Sequence, residues 1–185
     1  QFSLHKLSDS LVLEHSQFLD LSGNDPSRPF AEAVIRECGE KGPVFVYNAK
    51  FEKRIMRELA VRFHDLGAAL ERVTDRIIDL LPVAEKCFYA PSQRGSWSIK
   101  CVLPAAVPEL SYDELEGVRD GEMAASAFAE AIDQKTSEAR KSEIQRQLSD
   151  YCKLDTLAMV GLWKHFMGLN KPAINLPDSD RTVMP

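Results

Sequence analysis

The chain has 185 residues, 44% of them hydrophobic, and a chain of that size can bury roughly 70% of its unfolded surface in one core. Its net charge of -5 excludes a uniformly basic nucleic-acid surface, although a groove can be locally basic in an acidic protein. No apolar run reaches about 18 residues and no basic segment precedes an apolar stretch, so neither a membrane span nor a secretory leader is expected.

Cys38, Cys87, Cys101 and Cys152 form no CxxC pair and no Cys/His cluster. Reduced thiols in a cytoplasmic protein are therefore expected, with neither a zinc site nor a disulfide framework. The sequence opens on Gln within a strand-like segment, which raises the expectation of a domain cut from a longer parent protein.

Phe2 and Leu4 alternate with polar neighbours, and Leu11, Val12 and Leu13 follow the cluster Ser8-Asp9-Ser10, a pattern that predicts a β-hairpin. Pro29 stands in a first helical turn, Phe30, Val34 and Cys38 recur at helical spacing, and Gly39 terminates that helix. Pro43 to Tyr47 is a continuous β-branched and aromatic run, expected as a central strand buried on both faces. Asn48 then reads as an N-cap, with Phe51, Ile55, Leu59 and Phe63 as the apolar stripe of the next helix.

Residues 67–86 read as helix broken at Pro82. Ala90 to Gly95 is a loop, and a short helix follows from Ser98 to Ala106, ending before Val107-Pro108. Gly121 to Ile132 and Ser137 to Met167 are further helices, the last being the longest element. Asn170 to Pro185 reads as an extended tail. A small sheet followed by many helices gives the expectation of an α/β or α+β protein with one domain over 1–168 and a tail over 169–185.

Chemistry is concentrated in a few positions. On the long helix Ile144, Leu148, Tyr151, Asp155, Met159, Leu162 and Phe166 recur at intervals of three and four, and Asp155 falls about 20° from Ile144 and from Phe166. A carboxylate inside an apolar stripe needs a cation or a set of donors, because leaving it buried and unpaired costs several kcal/mol. A metal ion would serve; so would a backbone amide, with Tyr151 one turn earlier merely packing or placing its hydroxyl beside whatever Asp155 binds.

Glu52 lies in the first turn of the helix after the apolar strand, where an acid gains from the helix dipole and where ligands of open α/β sheets gather. A solvated first-turn Glu reads the same way. Lys50, Lys53, Arg54, Arg57 and Arg62 crowd that helix, either as counter-charge for phosphates or as a solvated face. Asp79, among Ile77, Ile78, Leu80 and Leu81, reads as a partly buried acid or a cap, with a structural role favoured. His5, His15, His64 and His165 show no ligand spacing, and no phosphate loop, nucleophile elbow or Cys/His dyad is present.

Taken in order, Val46-Tyr47-Asn48-Ala49-Lys50-Phe51-Glu52, Asp79, and Tyr151-Cys152-Lys153-Leu154-Asp155 resemble the DEDD superfamily of 3'-5' exonucleases, in the subclass with tyrosine in the last motif. Asn48, Phe51, Glu52, Tyr151 and Asp155 match that layout, with Glu where Asp is usual. Gly95 to Lys100 and Tyr151 to Val160 also resemble an uncharacterised bacterial domain found at the C-terminal end of longer proteins and regarded as exonuclease-like. The family's first motif, Asp-x-Glu on the first strand, is absent; Asp9, Glu14 and Asp20 do not replace it.

The resemblance implies an RNase H-like fold, a small mixed sheet flanked by helices, here lacking its first strand. The slot between the hairpin and the Pro43 to Tyr47 strand is then filled from elsewhere, collapsed or left as a defect. It implies a two-metal phosphodiesterase in which Glu52 and Asp155 are metal ligands for Mg²⁺ or Mn²⁺. Tyr151 would orient the attacking water, Asn48 the turn or the terminal nucleotide, and Lys100 a phosphate.

Partners implied are a DNA or RNA 3' end and other domains of the parent, with no membrane. With two of the four carboxylates, this chain alone is expected to bind metal poorly and to be inactive. One rival is a non-catalytic RNase H-like module binding nucleic acid or protein. The other is a metal-independent helical interaction domain in which Glu52 and Asp155 never meet.

Overall fold

In the computed structural model the described residues are 1–8, 10, 12–169 and, as backbone, 180–183. They gather into two compact units: Gln1–Pro26 with Ser111–Leu157 and the backbone of 180–183, and Ser27–Leu110 with the chain from Ala158.

The first unit begins with the predicted hairpin. Strand β1 (Phe2–Leu7) pairs antiparallel with β2 (Leu13–Phe18), in a register running from Phe2 opposite Phe18 to Leu7 opposite Leu13. Helices α6 (Gly121–Ile132) and α7 (Glu138–Phe166) follow the sequence pattern closely. Asp120 caps α6 by accepting the Met123 N–H at 2.8 Å, which satisfies one of the donors that every helix N-terminus leaves open. Ala131, Ile144 and Leu148 from these helices bury against Leu19 and Val118 to form the core. Strand β5 (Asp180–Val183) runs parallel to β2, giving the order β1-β2-β5. The tail expected over 169–185 otherwise lies outside the described residues beyond Leu169.

The second unit holds α1 (Ser27–Cys38), β3 (Val44–Val46), α2 (Lys50–Arg62), α3 (His64–Asp75), β4 (Ile77–Asp79), α4 (Leu81–Cys87), a 3-10 turn at Pro91–Gln93 and α5 (Ile99–Ala106). Gly39 ends α1 with φ 58, as its position predicts. Ala31, Leu59 and Leu70 form one buried cluster and Val46, Ala49 and Ile77 another.

The helix expected over 67–86 is corrected. It stops at Asp75, Ile77–Asp79 forms a strand, and Pro82 opens α4 rather than breaking a helix. The cause is non-local, since β4 gains a parallel ladder with β3 in the register Val44–Ile77, Phe45–Ile78 and Val46–Asp79, and β-branched residues suit a pleated surface better than a helix.

The α/β class is borne out, with both parallel and antiparallel pairs. The expectation that Pro43 to Tyr47 is a central strand is not. Among the described residues β3 pairs with β4 alone, and only Val46 of its three residues is fully buried. Strand β5 joins the hairpin on the β2 edge, and among the described residues no strand fills the slot expected between the hairpin and the Pro43 to Tyr47 strand. Among the described residues no strand covers the outer edge of β1. The four cysteines are free thiols.

Candidate functional site

The first acid station is the turn between β3 and α2. Asn48 takes the left-handed conformation with φ 65, which Asn tolerates better than other residues with a Cβ. It is not the N-cap that its type predicts. The helix is flanked by Ala49, which offers no side-chain cap, and the capping oxygens come from the end of the neighbouring strand. Asp79 Oδ1 accepts the Asn48 N–H at 2.8 Å and the Leu81 N–H at 3.0 Å, while Oδ2 accepts the Ala49 N–H at 2.9 Å. One carboxylate thereby holds the starts of two helices, α2 and α4. Asp79 is a cap, the structural alternative of the two open from sequence.

That turn fixes the place of Glu52 in the first turn of α2. Its Oε2 is buried and has no hydrogen-bond partner. Burial lifts the carboxyl above its ordinary range, a backbone hydrogen bond opposes the shift, and the Asp79 charge adds to it. A solvated first-turn Glu would show none of this. By contrast Phe51, expected on the buried stripe, is 61% exposed. The stripe is carried by Leu59, with Ile55 and Phe63 packed around it.

Beside the same strand end, Tyr47 donates its hydroxyl to the Trp97 carbonyl at 2.7 Å. Burial, with the charges of Glu85, Asp79 and Cys101, pushes that phenol up to about 12. Gln93, 1% exposed, ties the loop ahead of α5 by accepting the Ala90 N–H at 2.7 Å and donating to the Ser96 carbonyl at 3.3 Å. Lys100 stands half-buried in the first turn of α5.

The second station is on α7 within the first unit. Tyr112, buried in the segment before α6, donates its hydroxyl to Asp155 Oδ1 at 2.6 Å. Tyr151 also hydrogen-bonds Asp155, and the two phenol rings lie 6.4 Å apart. Burial raises both phenols well above their ordinary range, and the Asp155 charge raises them further. The donor set that the apolar stripe demanded is therefore a pair of phenols. Cys152, one residue on from Tyr151, is pushed up to about 12 by burial and by Asp155, with the chain's amino group opposing.

Hard carboxylate oxygens suit Mg²⁺ or Mn²⁺. Glu52 Oε2 is a buried acceptor with no hydrogen-bond partner, whereas Asp155 is already engaged by its phenols. Among the described residues no group of three or more His, Cys, Asp or Glu side chains is gathered. Neither station is therefore an all-protein cage; Glu52 and Asp155 could meet Mg²⁺ only within a shell completed by water and phosphate oxygens, the usual way that Mg²⁺ is bound.

Sequence reasoning placed Asn48, Glu52, Asp79, Tyr151 and Asp155 at these stations and missed Tyr112. It sits in an irregular segment with no periodicity. The one clue was that the Asp155 carboxylate needed donors.

Fold and stations together define an α/β protein with half-buried carboxylates at a strand-to-helix turn and on the longest of its described helices. The family described as "Domain of unknown function (DUF2779)" matches residues 1–98, from the hairpin through Ser98, and the chain belongs to that family. No curated protein and no solved structure matches the chain. Among the described residues no helix is long and apolar enough to cross a membrane.

Proposed function

We propose that this chain carries the later motifs of a divalent-metal-dependent 3'-5' exonuclease with an RNase H-like fold, with Glu52 and Asp155 as metal ligands. The observation that carries the reading is Glu52 itself: a buried carboxyl oxygen without a donor, in the first turn of a helix whose start is held by two amide bonds to Asp79. Burying such a group unpaired costs about 1–3 kcal/mol, more when it is charged. A bound cation removes that cost. The order of elements supports the same reading, because an antiparallel hairpin is followed by two parallel strands joined through helices.

A bound pair of Mg²⁺ or Mn²⁺ ions would supply a water of lowered pKa and neutralise charge at the leaving 3'-oxygen. The protein's share is positioning. Tyr112 and Tyr151 hold the Asp155 carboxylate in one orientation, as outer donors do for metal-binding acids. The Tyr151 hydroxyl, the less buried of the two, orients the attacking water. Asn48 fixes the turn, and Lys100 meets a phosphate. The chain supplies two of the four carboxylates that such a centre uses, so by itself it holds metal weakly and hydrolyses nothing.

The test is Mn²⁺-dependent degradation of 3'-labelled oligonucleotides by the protein expressed from its full-length gene and by its Asp155→Ala variant. Activity in the first and none in the second is expected. Equal activity in both overturns the mechanism. A second reading, a non-catalytic RNase H-like binding module, is favoured by the absence of any three-ligand group among the described residues. Oligonucleotide binding with no degradation by the full-length protein selects it.

A further inference from the structure

We propose that the exposed face of α2 is a landing surface for single-stranded nucleic acid, with a base stacked on Phe51 and phosphates met by Lys50, Arg54 and Arg57. Phe51 is 61% exposed and Val61 72% exposed on a helix whose other apolar residues are half-buried or buried. At about 100° per residue, Lys50, Arg54 and Arg57 fall within an arc of about 60°, and all three are exposed. The carboxylate on this exposed run is Glu58, bridged to Arg54 at 2.9 Å. Within an acidic chain this helix face is basic. Arg62 is excluded, since it donates to Ser27 Oγ at 3.0 Å and covers the Phe63 ring.

The Arg54 guanidinium lies over the Phe51 ring, 5.4 Å from its centroid, a cation–π contact that a stacked base can join. A protein partner would favour contiguous apolar surface. Here the two apolar residues stand ten positions, about 15 Å, apart, with Arg54 and Arg57 between them and Lys50 just before Phe51. One aromatic platform flanked by cations matches a base and its neighbouring phosphates on a single strand. The inference deepens the nuclease reading, because Phe51 adjoins Glu52, but it needs no metal.

The test is fluorescence anisotropy of a labelled oligo-dT against the purified protein in EDTA. Three phosphate contacts predict that log K falls against log salt with a slope of about -2, at roughly -0.7 per contact for single strands. Phe51→Ala should weaken binding about tenfold and Phe51→Trp restore it, as stacking requires. Arg57→Ala should flatten the slope by about 0.7. Thermal melts confirm that these surface variants fold.

Wild-type affinity in both Phe51→Ala and Arg57→Ala, no binding by the wild type, or equal competition by polyglutamate would overturn the proposal. Because EDTA is present, the outcome is independent of the nuclease reading. If oligonucleotide binds with these dependences while Mn²⁺ binding proves insensitive to Glu52→Gln, the landing surface stands and the metal-ligand role falls.

Discussion

At the scale of single residues the two carboxylates differ in how their burial is offset. Asp155 has phenol donors, whereas Glu52 Oε2 has none. A carboxyl whose folded pKa is raised binds protons more tightly in the folded state, so its contribution is most favourable below the ordinary carboxyl pKa and is lost as pH rises through the raised value. Glu52→Gln should therefore become more stable relative to wild type as pH rises from 5 to 8, reaching a gain of about 1 kcal/mol. Urea melts across that range check it, and a pH-independent difference would contradict the assignment. For Tyr112→Phe the expected cost is about 2 kcal/mol, the net worth of a hydrogen bond to a charged acceptor. In a double-mutant cycle with Asp155→Ala the two losses should fall well short of additive, because the residues share one bond.

At the scale of elements, the strand-to-helix turns are held by side chains from elsewhere in the chain. Asp79→Ala removes two oxygens that accept three amide hydrogen bonds, and a loss of about 3 kcal/mol is expected, with Asn48→Gly near neutral because glycine adopts the same left-handed conformation freely. Arg76 plays a matching part at the other end of the sheet, donating to the carbonyls of Cys38, Gly39, Lys41 and Gly42. Arg76→Lys, which lacks the planar fork, should cost about 2 kcal/mol in chemical denaturation.

These ties explain what the sequence made legible. Helices α1, α2, α5, α6 and α7 were readable because local periodicity dictates them. Strand β4 was not, because three residues within a helix-like run become strand only through pairing with β3, over thirty positions earlier in the chain. Phe51 was misplaced for a related reason: its four-residue spacing from Ile55 is real, but it lies at the edge of the stripe, where the fold turns it to solvent.

At the scale of the whole molecule, Glu52 belongs to one compact unit and Asp155, on α7, to the other. The nuclease reading requires Glu52 and Asp155 to serve the same ions. The most direct test is an amide-resolved NMR titration with Mn²⁺, whose unpaired electrons broaden nearby signals. Amides of residues 48–53 and 151–156 should broaden together over the same range of Mn²⁺ concentration, and either Glu52→Gln or Asp155→Asn should abolish both effects. Broadening at one segment only, or at neither, would contradict a shared metal centre.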